Sequence, residues 1–221
     1  MTAPVAVALD TADPQVAEEW IDGLAPHARA FKAGPVLFHA WPAVGESVAA
    51  VGRLLFLDLK LHDIPSVVGL AMEGLARRGA DRVTIHLSGG AEMAQAAVEA
   101  GGEAARPIGV TVLTSIDEPS WKGFAGRTVP DSVERMVETG WGAGVREFVC
   151  SGAEVSRLRK AFPEAVLWVP GIRFPGEDGA DQRRVSTPQE VLAAGADWLV
   201  MGRSLTSVPT DQAVARLGAL A

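Results

Sequence analysis

Short apolar runs alternate with longer amphipathic segments along almost the whole chain. The longer segments carry apolar residues at three- and four-residue spacing, which predicts helices. Continuous apolar strands that alternate with helices are typical of a parallel sheet covered by helices. The predicted strands cover residues 5–10, 28–34, 53–60, 81–87, 107–113, 145–152, 165–171 and 196–202. The predicted helices cover residues 14–24, 65–78, 90–100, 131–141, 153–161, 188–194 and 204–217.

Eight predicted strands, seven of them followed by a predicted helix, in 221 residues predict one closed α/β architecture. We expect a single domain over residues 1–221, folded as a (β/α)8 barrel, or TIM barrel. The alternative is an open doubly wound sheet, but no G-x-G-x-x-G follows the first strand. Two long connections, 114–130 and 171–187, are rich in Gly, Pro and charge. Long loops in compact domains are usually functional, so we expect the second to be a lid.

Composition narrows the class of protein and its partners. With 48% hydrophobic and 21% charged residues, the chain is typical of soluble globular proteins. The net charge of −7 disfavours nucleic acid as a partner, although a local basic pocket can still bind a small anion. The single cysteine, Cys150, excludes an intrachain disulfide and is predicted to be a small core residue, with a catalytic thiol as the alternative.

The N-terminal stretch MTAPVAVALD lacks the basic region of a signal peptide, and its apolar run is too short for one. No segment approaches the roughly 18 uncharged apolar residues that a membrane span needs. We therefore expect a cytoplasmic location and no membrane partner.

Ionisable and polar residues occur where the predicted strands end. In a parallel barrel these ends share one face, and barrel enzymes place their active sites there. So many polar groups at one mouth favour a functional site over isolated structural pairs. The residues are Asp10, Lys32, Asp58, Lys60, His86, Thr114, Ser115, Arg173 and Arg203.

The stretch FLDLKLHDIPS concentrates these charges after one apolar run. Asp58 and Lys60 are two residues apart, so on a strand both face the same side. Lys32, on the neighbouring strand, is expected to lie beside Asp58, and Asp63 adds a second carboxylate. Such an alternating row compensates its own buried charge. The alternative is an ion-pair network that only holds the barrel rim.

Two motifs resemble one enzyme family. DLKLHDIP, residues 58–65, resembles the D-x-K-x-x-D-I-P signature of the orotidine 5′-phosphate decarboxylase family. The D-x-K-x-x-D part alone also occurs in the related barrels hexulose-phosphate synthase and keto-gulonate-phosphate decarboxylase, and Ile64–Pro65 favours the orotidine branch. Residues 169–206 resemble the family's P-G-I-R…D-Q-x-R-V-x-T-P…G-x-D…V-x-G-R stretch. The resemblance runs from about residue 5 to residue 206.

The resemblance implies four catalytic residues. Lys60 would donate a proton to C6 of the pyrimidine, and Asp58 would lie against the substrate carboxylate. Lys32 would reach the ribose and orient Asp58. Asp63 would cross a dimer interface into the neighbouring subunit's site, so the resemblance implies a homodimer.

The resemblance also implies residues that bind the substrate around this network. Asp10 would hydrogen-bond the ribose hydroxyls, and Thr114 would lie near the base. Gln182 and Arg203 would hold the phosphate, with Arg173 in the same region. The full set is Asp10, Lys32, Ile64, Pro65, Thr114, Arg173, Gln182, Gly202 and Arg203.

The implied reaction converts orotidine 5′-monophosphate to uridine 5′-monophosphate and CO2, a step of de novo pyrimidine biosynthesis. The resemblance implies no cofactor and no metal ion. Two alternatives stay open from the residues alone. One is a metal-dependent lyase acting on a sugar phosphate with the same barrel, and the other is a nucleotide-binding protein without catalytic activity.

Overall fold

The predicted strands form a closed parallel barrel in which each strand pairs with the next and the eighth pairs with the first. The computed structural model describes residues 2–177 and 186–221. The barrel confirms the predicted fold class and excludes the open sheet. Its strands are β1 Ala3–Ala8, β2 Ala28–Ala33, β3 Leu54–Leu61, β4 Arg82–His86, β5 Arg106–Val110, β6 Glu147–Val149, β7 Val166–Val169 and β8 Trp198–Met201.

Helices cover the outside of the barrel. Within the described residues, none of them is both long and apolar enough to cross a membrane. They are α1 Pro14–Leu24, α2 Trp41–Ala50, α3 Pro65–Ala76, α4 Gly90–Gly101, α5 Glu118–Ala125, α6 Val129–Gly142, α7 Val155–Ala161, α8 Pro188–Ala193, α9 Arg203–Thr206 and α10 Thr210–Gly218.

The helices differ from the sequence prediction in three places. Helix α2 was not predicted, and α5 lies inside the predicted loop 114–130. The α5 helix begins there because the Asp117 side chain accepts a hydrogen bond from the Ser120 N–H and caps the first turn. The predicted helix 204–217 is divided into α9 and α10. The break lies at Pro209, because a proline disfavours a helical conformation in the residue before it.

Side-chain caps define several helix starts. Asp13 accepts from the Gln15 N–H, as the sequence Asp-Pro predicts. The helix predicted over 131–141 begins two residues earlier, at Val129. Thr128 is the cap, and its hydroxyl oxygen accepts from the Asp131 N–H at 3.3 Å.

The apolar core has two layers. The larger layer lies between the strands and the helices, and a smaller one fills the barrel itself. In the inner layer, Phe56 and Trp168 pack edge to face with ring centroids 5.1 Å apart. Small side chains from β1 and β2 leave room for these two rings. The inner cluster consists of Ala6, Ala8, Ala30, Phe56, Ile108, Trp168 and Val200.

A buried ion pair closes the end of the barrel opposite the strand carboxyl ends. Arg82 Nε lies 2.7 Å from Glu147 Oε1, and the Trp168 indole N–H donates to Glu147 Oε2 at 2.9 Å. The Trp168 ring also stacks on Trp198 at 4.3 Å. Because Glu147 is paired and hydrogen-bonded, its charge is compensated inside the barrel.

Replacing Glu147 tests how much the Arg82–Glu147 ion pair stabilises the barrel. Glu147→Ala leaves the Arg82 guanidinium buried without its partner, so it should lower the free energy of unfolding by about 3–5 kcal/mol. Urea unfolding followed by circular dichroism measures the change. The matched control is Glu103→Ala, which breaks an exposed Glu–Arg pair with Arg106 and should cost far less. Equal effects of the two substitutions would contradict this account.

Candidate active site

A cavity of about 370 Å³ opens at the carboxyl ends of the strands. Its volume lies in the range of small-molecule sites. The cavity brings together most of the candidate residues from six separate strand ends, as the barrel topology predicts. Those in its wall are Asp10, Lys32, Asp58, Lys60, Thr114, Ser115, Arg173, Gly202 and Arg203.

Four charged side chains form an alternating row across one side of this cavity. Lys32 Nζ lies 3.2 Å from Asp10 Oδ1 and 3.3 Å from Asp58 Oδ2. Lys60 Nζ lies 2.8 Å from Asp58 Oδ1. The row therefore runs Asp10, Lys32, Asp58, Lys60, and each oxygen of Asp58 faces a different ammonium group.

Burial and charge oppose each other in this row. Burial alone would lower the pKa of Lys32, but the carboxylates of Asp58 and Asp10 outweigh it and raise that pKa. Burial alone would raise the pKa of Asp58, but the ammonium groups of Lys32 and Lys60 outweigh it and lower that pKa. Lys32 and Asp58 are therefore both ionised at neutral pH. The Lys60 side chain is 38% exposed, so it is more open to the cavity than the side chains of Lys32 and Asp58.

Strand β3 is irregular where it carries these residues. The β3–β4 register shifts between Leu57 and Leu61. Lys60 has a φ of 49°, and it is the one non-glycine residue with positive φ in the described part of the chain. A left-handed conformation at a residue with a long side chain is strained, and such strain concentrates at functional sites.

Thr84 on β4 lies opposite this irregularity, and sequence reasoning missed it. Its hydroxyl oxygen accepts from the Lys60 backbone N–H at 2.8 Å and donates to Asp58 Oδ1 at 3.1 Å. The side chain is fully buried. A threonine inside an apolar run was the available signal, because a buried hydroxyl must find a partner.

The rest of the cavity wall combines apolar residues with two arginines. Val112 and Cys150 contribute to the apolar part, and Cys150 is buried as predicted for a small core residue. Arg173 is positioned by an isolated bridge at the base of its loop, where its backbone N–H donates to the Ser186 carbonyl at 3.0 Å. Arg203 begins α9 at the end of the eighth strand. Two arginines thus contribute positive charge to the wall of the cavity that holds the charge row.

Glu177 ties the first part of the 171–187 loop to the last two helices. Its Oε2 accepts from the Ser204 hydroxyl at 2.6 Å, and its Oε1 accepts from Arg216 at 2.7 Å. Burial would raise the pKa of Glu177, but these hydrogen bonds and the Arg216 charge lower it. The contacts fix the segment that carries Arg173 relative to α9.

His86 and three residues that the resemblance assigns to the site do not line this cavity. Asp63 is exposed, and its carboxylate accepts from the Ile64 N–H at 2.7 Å. Neither residue lines the cavity of its own chain, and nor does Pro65. Gln182 lies outside the described residues, as does the centre of the expected lid.

Known proteins resemble this chain over almost its whole length. The orotidine 5′-phosphate decarboxylase of Thermobifida fusca (strain YX) is 44% identical over 220 residues, which cover 97% of this chain and 94% of that protein. The enzyme of the same name from Anaeromyxobacter sp. (strain K) is 42% identical over 215 residues, covering 96% and 95%.

A solved structure agrees with this relationship. The crystal structure of orotidine 5′-phosphate decarboxylase from Lactobacillus acidophilus has a TM-score of 0.82 at 27% identity and covers 98% of both chains. The model of the orotidine 5′-phosphate decarboxylase / HUMPS family matches residues 3–217, which include the whole charge row and both arginines. The chain therefore belongs to the orotidine 5′-phosphate decarboxylase / HUMPS family.

Proposed function

We propose that the protein decarboxylates orotidine 5′-monophosphate to uridine 5′-monophosphate and CO2 without a cofactor. The observation that carries the proposal is the ionised Asp58 held between Lys32 and Lys60 in the cavity wall. The activity of the named relatives points to the same reaction. We further propose that the enzyme acts in the cytoplasm, in de novo pyrimidine biosynthesis.

The chemical step needs a charge arrangement of this kind. The bond between C6 and the carboxylate breaks, its electron pair stays on C6, and CO2 leaves. Asp58 lies against the substrate carboxylate and raises the energy of the bound ground state. The Lys60 ammonium stabilises the charge that develops on C6 and then donates a proton from Nζ to that carbon. A proton from the bulk solution then reprotonates the Lys60 amine, so the net reaction consumes one proton.

Binding of the substrate uses the rest of the cavity. Asp10 and Lys32 lie together and are suited to the ribose hydroxyls, while Thr114 lies near the base. Arg173 and Arg203 supply positive charge for the phosphate, and Gly202 lies beside Arg203 in the cavity wall. Gln182 completes the phosphate site in this proposal. Phosphate binding far from C6 contributes to catalysis by organising the site.

We also propose a homodimer in which Asp63 and Ile64 act in the partner's site. Ile64, the residue just before helix α3, is 62% exposed, and Val67 and Leu70 in that helix are 44% and 68% exposed, at three-residue spacing. This spacing puts the three side chains on one helix face. An exposed apolar strip is typical of a protein interface. Asp63 lies at the start of this strip, so a partner chain packed there brings its carboxylate near a second cavity.

Lys60 gives the most direct test of the mechanism. Lys60→Ala removes the ammonium group that stabilises the charge on C6 and donates the proton, so kcat/KM should fall by at least about 10³-fold. Loss of the ultraviolet absorbance of orotidine 5′-monophosphate measures the rate, and circular dichroism checks the fold. Lys160→Ala, on the exposed surface of α7, is the control and should keep full activity. A folded Lys60→Ala enzyme with wild-type turnover would remove Lys60 from its role.

Removal of metal ions separates the proposal from a metal-dependent sugar-phosphate lyase. The D-x-K-x-x-D motif occurs in both, so the sequence alone leaves both open. Turnover of orotidine 5′-monophosphate should be unchanged after dialysis against EDTA, because every proposed step uses protein side chains. Activity that disappears with EDTA and returns with Mg²⁺ would favour the alternative.

Mixing two inactive variants tests the shared site. Lys60→Ala and Asp63→Ala subunits together should restore about one quarter of the wild-type activity. Half of the dimers are mixed, and each mixed dimer has one site in which Lys60 of one subunit and Asp63 of the other are both intact. Steady-state turnover after verified subunit exchange measures the recovery. Adding Leu70→Glu to both variants disrupts the apolar strip and should remove that recovery. No recovery without Leu70→Glu would contradict a site shared between subunits.

A further inference from the structure

The irregular part of β3 coincides with the residues that do the chemistry. Strand β3 pairs regularly with β4 at Leu57↔Val83 and again at Leu61↔Ile85. Between these pairs β3 contributes three residues, 58–60, whereas β4 contributes only Thr84. The segment that carries Asp58 and Lys60 is therefore a bulge with one residue facing it.

The Thr84 hydroxyl contacts both ends of this bulge. It accepts the Lys60 backbone N–H at 2.8 Å, a donor that the regular ladder leaves unpaired at this point. It donates its single hydrogen to Asp58 Oδ1 at 3.1 Å. The same Asp58 oxygen accepts from Lys60 Nζ at 2.8 Å. Thr84 thus joins the backbone of Lys60 to the carboxylate that holds the Lys60 side chain.

We propose that Thr84 is a positioning residue, whose hydroxyl fixes the bulge so that Asp58 and the Lys60 ammonium group meet the reacting carbon in a single geometry. This inference rests on the proposed function for its effect on the rate. Without the hydroxyl, the left-handed backbone of Lys60 loses its hydrogen bond, and Asp58 Oδ1 loses one of its two donors. The Thr84 hydroxyl bonds Asp58 and the Lys60 backbone and not the groups assigned to ribose and phosphate, so the effect should fall on kcat and spare KM.

Thr84→Val removes the hydroxyl and keeps the shape of the side chain. We expect kcat to fall about 10²-fold, since small displacements of reacting groups have effects of this size, while KM for orotidine 5′-monophosphate changes less than about threefold. Thr84→Ser keeps the hydroxyl and should retain kcat within about threefold. Binding of uridine 5′-monophosphate checks that each variant is folded.

Thr111 offers a matched control. It is a buried threonine near the end of the adjacent β5, and its hydroxyl donates to the Val149 carbonyl at 2.8 Å. Thr111→Val therefore removes a comparable hydrogen bond that does not reach the charge row, and kcat should stay near that of the wild type. A kcat for Thr84→Val close to that of Thr111→Val would overturn the proposal. An equal loss of kcat in Thr84→Ser would also overturn the proposal, because the methyl group and not the hydroxyl would then matter.

A second measurement separates this inference from the proposed reaction. Hydrogen exchange of the Lys60 amide, followed by NMR, should accelerate at least about tenfold in Thr84→Val and stay unchanged in Thr84→Ser. If wild-type enzyme fails to turn over orotidine 5′-monophosphate, the proposed function fails, and amide exchange still decides whether Thr84 holds the bulge. Unchanged Lys60 exchange in Thr84→Val would overturn the positioning role. If Thr84→Val does not fold, Thr84→Ala replaces it in both measurements.

Discussion

The attraction between Asp58 and the two ammonium groups beside it is the interaction on which the rest of the site depends. Two unit charges about 4 Å apart attract by about 4 kcal/mol at an effective dielectric constant near 20. Removing one such charge from water costs several kcal/mol, so a lone Asp58 would be unfavourable in this position. With Lys32 at 3.3 Å and Lys60 at 2.8 Å, the carboxylate stays ionised although it is largely buried. Apolar side chains at these positions would stabilise the barrel equally well, so the charges are better explained by chemistry than by stability.

The barrel supports a local distortion that an isolated strand would not keep. A left-handed non-glycine residue costs of order 1–3 kcal/mol, and it persists where the surrounding structure over-determines it. Closed pairing of eight strands and the ring cluster of Phe56 and Trp168 below the site supply that constraint. The side chains of Asp58 and Lys60 touch within the bulge of β3, and Thr84 accepts the backbone N–H that the bulge leaves without a ladder partner.

The sequence predicted the fold and most of the cavity because both follow from local patterns. Alternating apolar runs specify a barrel, and polar residues at strand ends converge on its mouth. Regular alternation correctly predicts that Asp58 and Lys60 meet, but it cannot predict the positive φ of Lys60. That conformation depends on the register between β3 and β4, and Thr84 lies 24 residues from Lys60 in the chain. Helix α5 was missed because Gly and Pro suggested a loop, although Asp117 and Pro119 are a valid helix start.

The most direct test of the central claim is a crystal structure with uridine 5′-monophosphate bound. The account predicts Lys60 Nζ within about 3.5 Å of C6 while it still contacts Asp58, with Lys60 in the left-handed conformation. A structure in which the base lies elsewhere in the cavity, with Lys60 Nζ turned away from C6 and from Asp58, would contradict it.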